Sequence, residues 1–67
     1  MSWAIRNRKT RKFVYGTDYR FFPPHQRTDY NKAILYGTQE EAESDLRWRR
    51  CGKFYEVVPV RIEVLED

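Results

Sequence analysis

The chain has one cysteine, one histidine and three glycines in 67 residues. A single cysteine excludes a disulfide framework, and a single histidine beside it excludes a tetrahedral zinc site of the usual Cys/His kind. Three scattered glycines make no phosphate-cradling loop. No apolar run approaches the roughly 18 residues of a membrane span. The opening residues, Met1 to Arg8, contain no apolar signal-peptide core. A lone thiol fits a reducing compartment, so a soluble cytoplasmic protein without metal or cofactor is expected. Catalysis is not expected either. Cys51 falls at the end of a predicted helix, where the dipole opposes a thiolate, and a chain this short rarely encloses a reaction pocket.

What is present is aromatic and charged. A single domain spanning residues 1–67 buries only about 60% of the surface exposed by its unfolded chain. With the usual staples of small folds missing, stability must come from the 16% aromatic content, from local propensity or from a partner. The net charge of +3 is unevenly distributed: residues 1–32 carry eight basic side chains against two acidic, and the remainder five against eight. Such asymmetry suggests a basic face for nucleic acid or an acidic protein surface, the alternative being a well-mixed solvated exterior.

Trp3 to Arg6 and Lys12 to Tyr15 alternate at period two around Asn7-Arg8-Lys9-Thr10-Arg11, which predicts a hairpin whose turn Asn7 starts with its own side chain. Gly16-Thr17-Asp18 ends the second strand, and a long irregular segment follows to Lys32, interrupted by Pro23-Pro24. Ala33 to Tyr36 predicts a third strand. Thr38-Gln39-Glu40-Glu41 fits a capping box at the start of a helix running to about Cys51, with Gly52 as its left-handed terminator. Phe54 to Leu65 predicts a long strand with Val58, Val60, Ile62 and Val64 on its core face, and Pro59 marking a bulge or an edge. The fold class is α+β: a small, mostly antiparallel sheet of three or four strands, one helix packed across it, in the order β-β-β-α-β. The expected core is Trp3, Ile5, Phe13, Leu35, Leu46, Val58, Val60 and Ile62.

Three stretches are candidates for binding. Arg8, Lys9 and Arg11 form the densest positive cluster, shaped to sit on a phosphate backbone or simply to keep a hairpin tip soluble. Tyr19 to Tyr30 gathers aromatics and arginines in a loop. The tendency of phenylalanine to be buried puts Phe21 and Phe22 over the sheet, leaving Tyr19, Arg20, Arg27 and Tyr30 as contact residues, whereas exposed phenylalanines would be partner anchors. Arg47, Trp48 and Arg50 close the helix. Glu43 to Arg47 and Asp45 to Arg49 are spaced to pair, and Trp48 lies about 160° from Leu46, exposed unless the sheet curls over it.

Trp3 to Val14, Thr38 to Glu43 and Tyr55 to Val60 together resemble small bacteriophage and prophage proteins, whose members usually have glycine where Arg11 stands. The resemblance implies a non-enzymatic inhibitor or adaptor of a host protein, of the anti-defence or anti-CRISPR type, acting in the bacterial cytoplasm, and it transfers no binding residues. The expected partner is a host protein or protein–nucleic-acid complex, with no membrane role and with the chain a monomer or homodimer. Direct nucleic-acid binding through the same surface is the alternative, and a dimeric structural protein the third.

Overall fold

The computed structural model describes residues 1–61. Four strands and one helix follow in chain order: β1 (Ser2–Asn7), β2 (Phe13–Asp18), β3 (His25–Asp29), α1 (Gln39–Trp48) and β4 (Tyr55–Val60). The sheet order is β3-β2-β1-β4 and the strand pairs are antiparallel. The expected α+β class and element order both hold, with the helix packed across the sheet against β1 and β4.

The first hairpin closes as its residues dictate. The Asn7 side chain accepts from the backbone N–H of Lys9 at 2.8 Å and of Thr10 at 3.0 Å. The loop returns through Arg11, which adopts φ 68°, the conformation glycine takes without strain. β1 and β2 pair only at the hairpin base, Arg6 opposite Phe13. Beyond it, residues 34–36 bond to both strands. Ile34 donates to Val14, while Trp3 and Tyr36 exchange two backbone bonds of 2.9 Å. The expected third strand at Ala33 to Tyr36 is therefore a bridging segment, and the third strand is His25–Asp29.

β3 lies inside the stretch expected to be irregular. Proline lacks an N–H, so Pro24 can stand just outside a ladder that starts at His25. Its alternate residues Gln26 and Thr28 are half-buried but polar, so no apolar alternation marks it. β2 also runs on to Asp18, and Gly16 does not end it. The register against β3 shifts between Val14 and Gly16, a bulge inside the strand.

Thr38 stands in extended backbone (φ −134°, ψ 156°), and its hydroxyl accepts from the Glu41 N–H at 3.1 Å. The helix ends at Trp48, three residues before the expected end. Arg50 N–H bonds to Arg47 C=O at 3.1 Å and Cys51 N–H to Leu46 C=O at 3.2 Å, the paired bonds of a Schellman ending. The left-handed residue of that ending is Arg50 at φ 52°, not Gly52, whose own φ of 82° serves the following turn.

Ile5, Val14 and Cys51 form the buried cluster, with Tyr36, Leu46, Tyr55 and Val57 packed against it. Ile5 faces Val57 in register, so the core face of β4 is the Tyr55/Val57 side and not the expected Val58/Val60 side. Trp3, Phe13, Val58 and Val60 are half-buried, and Leu35 is exposed, because its segment spans the gap between strands and turns that side chain outward. Pro59 lies on β4, at the sheet edge, as proline requires. Ile62, Val64 and the rest of the expected strand lie outside the described residues.

Candidate functional site

A polar clamp places the end of α1 against the β2–β3 hairpin. Arg49 donates through Nη1 to Thr17 Oγ1 at 2.9 Å, Thr17 donates to Gln26 Oε1 at 2.6 Å, and Gln26 Nε2 donates back to the Arg49 carbonyl at 2.7 Å. Arg49 Nε also donates to Asp45 Oδ2 at 2.7 Å, and the Tyr36 hydroxyl donates to the same carboxylate. Burial works against the charged Asp45, but the bonds from Arg49 and Tyr36 prevail and hold its carboxyl below the usual range. Burial and then Asp45 push the Tyr36 hydroxyl up. Of the two expected helical ion pairs, only Asp45–Arg49 forms among the described residues. The stem of Arg49 joins the inner stripe with Ala42 and Leu46, as the helical spacing implies.

This clamp brings the β2–β3 loop beside the helix end. Tyr19, Phe21, Phe22 and Pro24 from the loop, with Arg47, Trp48 and Arg50 from the helix end, line one open groove of about 640 Å³. Its aromatics face water: Trp48 is 78% exposed, Phe22 88%, Tyr19 57% and Phe21 47%. Phe21 and Phe22 thus do not fold over the sheet. Phe21 instead stacks on His25 with ring centroids 3.9 Å apart, an arrangement available because the clamp, and not the loop, closes that end of the fold. Of the residues singled out in the sequence, Tyr19, Arg47, Trp48 and Arg50 converge here.

The others lie elsewhere. Arg20 folds onto Asp18, with Nη2 2.6 Å from Oδ2, and Arg27 approaches the same carboxylate at 3.7 Å. The hydrogen bond from Arg20 is the main reason the Asp18 carboxyl is held far below its usual range. Tyr30 borders a separate hollow with Phe13, Leu35 and Val60, under Lys12 at 5.3 Å. At the hairpin tip Arg8 and Arg11 lie 4.0 and 3.7 Å from Glu56, which Arg6 already grips at 2.7 Å. Val57 faces the helix side, so by strand alternation Glu56 and its arginines belong to the opposite face. Lys9 sits over the Phe54 ring at 4.4 Å. The basic hairpin and the aromatic groove are two sites.

Sequence reasoning favoured burial for Phe21 and Phe22 over the alternative of exposed anchors, and it did not single out Pro24 as a groove residue or Arg49 as the clamp. The Phe-Phe-Pro-Pro run carried the signal for the first three, since a proline pair stops the chain from following the sheet. Nothing in the spacing of Thr17, Gln26 and Arg49 announces a triangle. Cys51 is buried in the core, which pushes its thiol up to about 11. Among the described residues no three His, Cys, Asp or Glu side chains are grouped to hold a metal ion, and no helix is long and apolar enough to cross a membrane. No family model, curated protein or solved structure matches the chain.

Proposed function

We propose that the chain is a non-enzymatic binding module that docks a partner protein through the groove between the β2–β3 loop and the end of α1. The setting implied by its sequence resemblance is a phage-type inhibitor or adaptor acting on a host protein. The observation that supports docking is the convergence of four exposed aromatics, Tyr19, Phe21, Phe22 and Trp48, in one arginine-lined groove. Exposed aromatic surface on so small a domain invites aggregation unless something covers it, and aromatic and arginine side chains dominate interface hot spots.

The competing reading, nucleic-acid binding through Arg8, Lys9 and Arg11, needs those cations free for phosphates. Arg8 and Arg11 share Glu56 with Arg6, which offsets part of their charge, but both stay more than half exposed, so the choice between the readings falls to experiment. Affinity capture from bacterial lysate, with and without nuclease, separates the two. Docking predicts a complex that survives nuclease and is weakened by at least about 2 kcal/mol, or about 30-fold, in Trp48→Ala. The triple replacement of Arg8, Lys9 and Arg11 by alanine should mainly slow association. Material removed by nuclease, with steep salt dependence, abolished by the hairpin changes and untouched by Trp48→Ala, overturns the docking reading.

A further inference from the structure

We infer that the groove takes an acidic peptide segment of the partner, with Arg47 and Arg50 meeting its carboxylates and an apolar side chain lying across Trp48 and Phe22. This rests on the protein-docking reading above. Two independent observations carry it, one of charge and one of backbone conformation.

Among the described residues, six arginines outside the groove each have a carboxylate within 4.0 Å. Arg6, Arg8 and Arg11 share Glu56, Arg20 and Arg27 share Asp18, and Arg49 holds Asp45. Arg47 and Arg50 have no carboxylate within 4.0 Å among the described residues, although Glu43 stands one helical turn before Arg47. Lysines elsewhere lie over aromatic rings: Lys32 over Tyr15, Lys12 over Tyr30, and Lys9 and Lys53 over Phe54. Uncompensated guanidinium charge therefore meets open aromatic faces in this groove. A guanidinium matches a carboxylate in a two-pronged, charge-assisted pair. A nucleic-acid strand, by contrast, is held by a run of cations along its phosphates, and two arginines at one groove do not make such a run.

The backbone points to the same residue. Arg50 holds the left-handed position of the helix ending at φ 52°, where glycine is normal and a Cβ is strained. Arg11 is left-handed too, but its side chain has Glu56 at 3.7 Å to gain from. Among the described residues Arg50 has no such partner, and its side chain lines the groove. Non-glycine residues kept in this conformation cluster at functional sites. An arginine here strains the backbone and pairs with no carboxylate among the described residues, which fits a side chain that meets an external anion.

Selection from a random-peptide display library on the full chain tests the inference. The expected result is a set of binders that place aspartate or glutamate beside an aromatic or aliphatic residue. The selected peptide should lose affinity at least about tenfold against Arg50→Gly. The same variant should melt about 4 to 8 °C higher, because glycine relieves the left-handed strain, so the loss cannot be unfolding. Binders without acidic residues, no enrichment, unchanged affinity for Arg50→Gly, or displacement of the peptide by an oligothymidine strand each overturn it. Trp48→Ala tells which reading fails. If it abolishes binding while Arg50→Gly does not, only the acidic occupant is wrong; if neither variant matters, the groove is not the docking site.

Discussion

Ile5 sits at the meeting point of β1, β4 and the helix, buried against Val14 and Cys51 with Val57 opposite it in register. Truncating such a side chain loses its transfer free energy and leaves a cavity that branched neighbours fill only partly. Ile5→Ala should therefore cost about 2 to 5 kcal/mol in chemical denaturation, a large share of the stability of so small a domain. Leu35→Ala should cost less than about 1 kcal/mol, since Leu35 is 48% exposed. Equal losses at the two positions would contradict this core. Residue by residue, the sequence distinguishes these two poorly. Both are aliphatic and both lie in short apolar stretches, but only Ile5 belongs to a strand whose register is fixed along its length by a neighbour. Asn7 was legible because its side chain acts on backbone two and three residues away, an interaction needing no tertiary context. Arg50 was not, because glycine two residues later offered the usual chemistry for a helix end.

At the scale of elements, what could be read followed what is local. Helix α1 was recognisable from its Thr38 cap, its acidic first turn and its inner stripe, and the hairpin from period-two alternation about a turn. β3 was hidden because its half-buried alternate residues, Gln26 and Thr28, are polar, and the facing of β4 was misread because valines stand on both of its sides. The element the sequence announced least is the one that builds the groove. β3 is tied to the helix through Gln26, and Arg49 closes the triangle with Thr17. Replacing Arg49 by methionine keeps its stem but removes the donors to Thr17 and Asp45. The variant should lose about 1 to 3 kcal/mol, the cost of leaving half-buried acceptors unpaired. Backbone amides of β3 should then exchange faster with solvent relative to those of β1 and β4, which are paired along their whole length. Uniform acceleration across all four strands would mean that the clamp holds nothing specific.

At the scale of the molecule, three carboxylates among the described residues gather six of the arginines, and this shapes how stability depends on pH. The sequence showed the excess of positive charge but not its arrangement, because Glu56 and Asp18 meet partners from other strands and loops. Asp18 and Glu56 are held below their usual range chiefly by hydrogen bonds from Arg20 and Arg6, and Asp45 by Arg49 and Tyr36 against the effect of burial. A carboxyl lowered in the fold stabilises it above its unfolded value of about 4, and that contribution is lost as pH falls through the folded value. On the alkaline side the sign reverses. Burial raises the Cys51 thiol from its ordinary 9.0 to about 11 and also raises the Tyr36 hydroxyl, so the unfolded chain releases these protons first. Their contribution is complete below about pH 9 and declines above it, with Cys51 alone accounting for about 2 to 3 kcal/mol by the end of its range. Thermal melts should thus show a plateau from about pH 5 to about pH 9 and a fall on either side. Cys51→Ala should soften the alkaline fall while leaving the acid one in place. An alkaline limb of unchanged steepness in that variant would show that the thiol titrates alike in the folded and unfolded chain, and that the buried setting found for Cys51 is wrong.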